Sequence, residues 1–122
     1  MSAREKVAIV GSREGIDELK VVEYVQGLPI GTTVVSGGAR GVDTWVEKAA
    51  RARCLFVEVY CPDWKKGPGA ALERNTAIVE NSDRVVAFWN GTSKGTKDVI
   101  NKANYYGKPL TVFWPEEDFM LS

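Results

Sequence analysis

Short runs of β-branched residues alternate along the chain with longer segments whose apolar positions recur at helical spacing. Lys6-Val7-Ala8-Ile9-Val10 has the pattern of a buried strand and ends in Gly11-Ser12-Arg13. Across 16–28, Ile16, Leu19, Val22 and Val25 predict a helix closed by Gly27-Leu28-Pro29. A strand at 33–35 enters Ser36-Gly37-Gly38-Ala39-Arg40-Gly41-Val42-Asp43, and the helix predicted over 42–53 sets Val42, Trp45, Val46, Ala49 and Ala50 on one stripe. The run 55–60 is mostly apolar, as expected of a strand covered on both faces. Residues 61–69 are too rich in Pro and Gly to be regular. A helix over 70–81 turns Ala71, Leu72, Ile78 and Val79 inward, and a strand follows at 84–89. The last helix, 96–106, buries Val99, Ile100 and Ala103, with Gly107 at the position of a C-terminal glycine cap; a strand at 109–113 precedes an acidic and apolar tail.

Strict alternation of strand and helix predicts parallel strands joined by right-handed crossovers. The expected fold is α/β: a single Rossmann-like domain spanning 1–122, with a five-stranded, mostly parallel sheet and helices on both faces. In such a sheet the ligand crevice lies beyond the carboxyl ends of the strands. Those ends are where Gly, Ser, Arg and Trp gather in this chain.

Composition narrows the chemistry. The 122 residues suffice for one continuous core, and 16 Lys and Arg balance 16 Asp and Glu, so a polyanion would have to be gripped locally. The absence of histidine excludes Ser-His-Asp and Cys-His catalysis and removes the commonest metal ligand, so neither metal nor cofactor is expected. Cys54 and Cys61 stand seven apart, which is neither a metal nor a redox spacing, and they are expected to be free thiols in a reducing compartment. No segment has the apolar length of a signal or a membrane span, which points to a cytoplasmic protein with no membrane partner.

The turn at 36–43 is the strongest chemical signal. The first N–H groups of a helix lack intrahelical partners and lie at the positive end of its dipole, so a phosphate fits there. Gly37, Gly38 and Gly41 would let a ligand reach the backbone beside Ser36 and Ala39, and Arg40 adds a planar fork of donors. Gly11, Ser12 and Arg13 offer a second, smaller turn; Ser93, Gly95 and Thr96 offer a third, in which Thr96 is expected both to cap the helix and to leave N–H groups free. The third turn lacks the ending of a P-loop, which argues against magnesium-dependent ATP hydrolysis. Trp64 and Trp89 could stack a base, although core packing is the commoner fate of Trp89. Asp43 and Asp98 fall in helix first turns, where complementing the dipole is role enough, and Arg74 could equally lie on a solvated helix face.

Taken together, Gly11-Ser12-Arg13, the 36–43 turn, Arg74-Asn75, Ser82-Asp83 and Ser93-Lys94-Gly95-Thr96 resemble the SLOG superfamily, which joins the Smf/DprA DNA-processing proteins to the Lonely Guy phosphoribohydrolases. The closest look is to its small stand-alone, YspA-like members. The resemblance implies a Rossmann-like fold whose glycine turns bind a nucleotide or nucleotide-derived ligand, with phosphate on 11–13, 36–41 and 93–96 and with Asn75 beside it. It also implies self-association as a homodimer. In the Lonely Guy enzymes a helix Arg and a Glu after a Pro-Gly-Gly-x-Gly-Thr turn cleave an N-glycosidic bond. Arg74 matches that Arg, but the Glu position is Val99 here, with Asp98 the nearest acid, and Asn90-Gly91-Thr92-Ser93 replaces the Pro-Gly-Gly. If catalysis occurs, Arg74 would hold phosphate or ribose while Asp98 or Asp43 stabilises an oxocarbenium ion. The alternative is a single-stranded DNA module like the DNA-processing relatives, whose Ser-Gly-x-Ala-Arg-Gly turn is nearly the same. A third reading, a structural subunit with a vestigial pocket, would bind neither.

Overall fold

The computed structural model describes residues 5–115, and most of the tail singled out above lies outside the described residues. Five strands, β1 (Lys6–Gly11), β2 (Thr33–Ser36), β3 (Phe56–Val59), β4 (Arg84–Phe88) and β5 (Leu110–Phe113), alternate with four helices, α1 (Glu18–Gln26), α2 (Val42–Ala52), α3 (Ala70–Glu80) and α4 (Lys94–Tyr105). The sheet order is β3-β2-β1-β4-β5, and each neighbouring pair is parallel. The chain thus winds outward from β1 in one direction, then returns to β4 and winds outward in the other. β1 and β4 flank the switch point, where a crevice opens between oppositely directed crossovers.

Alternation within each strand divides the core. Val7 and Ile9 of β1, Val34 of β2, and Val86 and Phe88 of β4 face one side, with Val21 and Val25 of α1 and Val42, Val46 and Ala50 of α2. Ala8 and Val10, Val35, and Val85 and Ala87 face the other, with Ile78 and Val79 of α3 and Val99 and Ala103 of α4. A one-residue slip of β1 would exchange these sets, so burial on both faces fixes the register.

Three expectations about which residues turn inward need correcting. The buried stripe of α1 is Val21 and Val25, with Leu28 just beyond, whereas Leu19 is exposed; capping by Asp17, whose carboxylate accepts from the Leu19 N–H at 3.0 Å, sets the helix phase. β3 is an edge strand, so Phe56 and Val59 are exposed rather than covered on both faces. The buried stripe of α3 is Ala70, Asn75, Ile78 and Val79, which leaves Leu72 exposed and Ala71 half-buried on the crevice wall.

Local ends follow their chemistry. Residues 61–69 are mostly irregular but hold one 3-10 turn, Trp64–Lys66, capped by Asp63. α4 starts two residues earlier than expected because Ser93, and not Thr96, is its cap: the Ser93 hydroxyl accepts from the Thr96 N–H at 3.3 Å. α4 closes on Gly107 at φ 69°, with the Gly107 N–H donating to the Asn104 carbonyl and the Lys108 N–H donating to the Ala103 carbonyl, the paired bonds of a Schellman end. Cys54 and Cys61 are free thiols, both exposed. Among the described residues no helix is long and apolar enough to cross a membrane.

Candidate functional site

The loops after β1, β2 and β4 meet at one rim. They enclose, with the start of α3, a crevice of about 900 Å³. Of the residues expected to bind, Gly11, Arg13, Gly37, Gly38, Ala39, Arg40, Asp43, Trp64, Arg74, Asn75, Ser93, Gly95 and Thr96 line it. Ser12, Ser36, Gly41, Trp89 and Asp98 do not.

These five have other partners. Buried Ser12 accepts from the Asn90 N–H at 3.0 Å, joining the β1 and β4 loops. The Ser36 hydroxyl donates to Glu47 at 2.7 Å and accepts from the Gly38 N–H at 3.2 Å. Trp89 packs on Trp114 at a centroid distance of 5.1 Å, and its indole N–H donates to the Ser93 carbonyl at 3.0 Å. Asp98 accepts from Lys102 at 2.7 Å and from Asn75 at 3.0 Å, an arrangement that staples α4 to α3.

Gly41 underlies the rim. It has φ 78°, and a Cβ there would stand 3.0 Å from the Arg13 Cα and 3.1 Å from its carbonyl oxygen. Only glycine lets the β2 loop lie this close on the β1 loop. Arg40, next in sequence, therefore leaves the chain where the β2 loop meets the Arg13 backbone. Both guanidinium groups are exposed on the crevice wall, and neither has a hydrogen bond or ion pair among the described residues. Gly41 also caps α2 without a side-chain bond, and Asp43, the carboxylate of its first turn, accepts from the Ala39 N–H.

The glycine turn itself is more occupied than its sequence implies. The Ala39 N–H donates to Asp43 at 3.0 Å and the Gly38 N–H goes to Ser36, so two of the amides expected to meet a ligand are already held by the protein. Asp43 is 6 % exposed, and its Oδ1 has no hydrogen-bond partner. Burial raises its pKa to about 6, against the lowering effect of the Ala39 N–H and the nearby Arg74 guanidinium; Glu47 raises it further and the Gly37 N–H lowers it slightly. Arg74 is tied down as well. Its Nη1 donates to the Gly37 carbonyl and, at 3.5 Å, to the Tyr60 carbonyl, and its Nε donates to Asn75 at 2.9 Å.

The third turn is organised by Asn90, which opens it but was not expected as a contact. Its Oδ1 accepts from the Thr92 and Ser93 N–H groups, each at 2.9 Å, while its Nδ2 donates to the Glu14 carbonyl at 3.0 Å. The sequence signal was the Asn-Gly pair, since Asn commonly bonds the backbone two residues on. Glu14, Pro62 and Ala71 also line the crevice and carried no such signal. Three arginines and two carboxylates therefore face the cavity, with the 68 % exposed Trp64 at its mouth. The groups available suit an anion and a flat apolar ring. Among the described residues no cluster of His, Cys, Asp and Glu could hold a metal ion.

No known protein-family profile matches the sequence. Among solved structures the fold is similar to DNA processing protein A from Streptococcus pneumoniae, at TM-score 0.74 and 24% identity over 88% of this chain. It is also similar to DNA processing protein A from Helicobacter pylori, described for its single-stranded DNA binding mode, at TM-score 0.65 and 24% identity over 89% of this chain. The chain spans 50% and 65% of those two chains. The architecture is thus a DprA-like Rossmann fold. Among curated proteins, the Gene 61 protein of Mycobacterium phage D29 is 33% identical over 119 residues, covering 88% of this chain and 95% of the phage protein. The chain belongs to the family of that phage protein.

Proposed function

We propose that this protein binds single-stranded DNA at the switch-point crevice, with a backbone phosphate between Arg13 and Arg40 at the start of α2 and a base against Trp64. The observation that carries this reading is the pair of unpartnered arginines on one crevice wall, their backbones brought close by the Gly41 contact at a helix end without a side-chain cap. Arginine forks suit phosphate oxygens, and a helix start whose cap makes no side-chain bond adds N–H groups. An exposed indole offers a sequence-tolerant stacking surface. The fold shared with the Helicobacter pylori protein, which binds single-stranded DNA, supports this choice of polyanion. The even charge balance limits the grip to these local groups.

Fluorescence anisotropy with a labelled oligothymidylate tests the proposal. Binding should weaken with added salt, and Arg13→Ala and Arg40→Ala should each lower affinity roughly tenfold, since hydrogen bonds to charged groups contribute about 1.5–3 kcal/mol. Folded protein that leaves the anisotropy unchanged at low salt would overturn it.

A second reading, a nucleotide-derived small ligand, is favoured by the crevice volume of about 900 Å³, within the range of small-molecule pockets. Calorimetric titration with nucleoside monophosphates, ADP-ribose and NAD separates the two. Glycosidic cleavage is left out of this reading, because the Asp98 carboxylate is shared by Lys102 and Asn75 away from the crevice wall and Asp43, on the wall, is buried and already accepts from the Ala39 N–H.

A further inference from the structure

A continuous chain of polar contacts runs from α4 to the glycine turn. Lys102 Nζ donates to Asp98 Oδ2 at 2.7 Å and to the Leu72 carbonyl at 2.9 Å. Asn75 Nδ2 donates to the same Asp98 oxygen at 3.0 Å. Asn75 Oδ1 in turn accepts from Arg74 Nε at 2.9 Å, and Arg74 Nη1 donates to the Gly37 carbonyl. Asn75 is 5 % exposed, so its amide has little water to turn to. With a carboxylate on one side and a guanidinium on the other, only one orientation of that amide satisfies both neighbours. Reversed, it would set its N–H₂ against Arg74 and its carbonyl against Asp98. The carboxylate therefore orients the amide, the amide orients Nε, and the rigid guanidinium plane then fixes where Nη1 meets the Gly37 carbonyl. Arg74 Nη2 is engaged by none of these partners.

We propose that Asp98 is a positioning residue of the crevice, acting through Asn75 to hold the Arg74 guanidinium against the turn at Gly37 and so fixing the shape of the wall that a ligand meets. The proposal rests on the DNA-binding reading only for its affinity readout. Lys102 neutralises Asp98 and bonds the backbone of α3, which keeps the carboxylate from swinging away. Buried polar networks of this kind have value only when each member is satisfied.

The test is a double-mutant cycle with a ligand-free readout beside it. Asp98→Ala removes the acceptor, whereas Asp98→Asn leaves an amide oxygen for Asn75 to bond. Asp98→Ala should weaken oligothymidylate binding roughly threefold to tenfold, and Asp98→Asn should restore most of the loss. In an Arg74→Ala background the Asp98→Ala change should have no further effect. Equal losses in both backgrounds overturn the proposal, since Asp98 would then act independently of Arg74. Without any ligand, the Arg74 Nε–H resonance should exchange faster with solvent in Asp98→Ala than in the parent or Asp98→Asn; an unchanged rate also overturns it. If the parent protein binds no oligonucleotide, the DNA reading fails while the exchange rates still decide the relay.

Discussion

Asp43 concentrates the electrostatics of the crevice in a single side chain. Its carboxylate holds the Ala39 N–H, yet burial raises its pKa from 3.8 to about 6. The folded state therefore takes up a proton more readily than the unfolded chain. The stability gained from that proton is full below pH 3.8 and is lost as pH rises through 6, about 3 kcal/mol in all. Asp43→Asn can keep an acceptor for Ala39 but cannot titrate, so chemical denaturation at several pH values should show the slope between pH 4 and 6.5 flattened. Trp64 gives the opposite kind of test. Exposed as it is, Trp64→Ala should leave the denaturation midpoint unchanged while costing about 1–3 kcal/mol of oligonucleotide binding, measured by anisotropy. At this scale the sequence identified most residues of the crevice wall. It could not tell which hydroxyls and carboxylates would be consumed internally, as Ser36, Ser12 and Asp98 are, because their partners lie 11, 78 and 23 positions away.

Elements meet closely where glycine replaces a side chain. A Cβ on Gly11, the last residue of β1, would stand 2.6–2.7 Å from the Val42 side chain, which is fully buried as the first residue of α2. Gly11→Ala should therefore destabilise by about 1–3 kcal/mol through overpacking, read as a lower midpoint in denaturant. Gly41→Ala adds an unfavourable φ to a collision with the Arg13 backbone and should cost at least as much. Strand and helix types were readable from periodicity, since runs such as 7–10 and 84–88 are too short and too β-branched for helices. Helix phase was less readable. In α1 both Leu19 and Val21 are apolar, and spacing alone selects neither until Asp17 fixes the first turn.

For the molecule as a whole, balanced charge makes the salt response diagnostic. A contact of Arg13 and Arg40 with a single phosphate should give a slope of log affinity against log salt of about −0.7, the value per neutralised phosphate on a single strand. A steep slope would mean that many more cations take part than line the crevice. β1, β2 and β4 are buried on both faces, whereas nothing in the sequence marks β3 as an edge: its run 55–60 is as apolar as an interior strand, and only the pairing leaves Phe56 uncovered. Sheet topology depends on which crossovers share a face, and no single segment encodes that.

The Ser12 hydroxyl, bonded to the Asn90 amide directly after the Ser12 N–H bonds the Phe88 carbonyl, adds one more rung to the central ladder after both strands have ended. The two loops that leave it are thereby yoked and must move as one jaw. The segment that carries Arg40 is closed on the same block, since Gly41 lies against the Arg13 backbone and Val42 against Gly11, so the rim at Arg13 and Arg40 is braced from three strand ends at once.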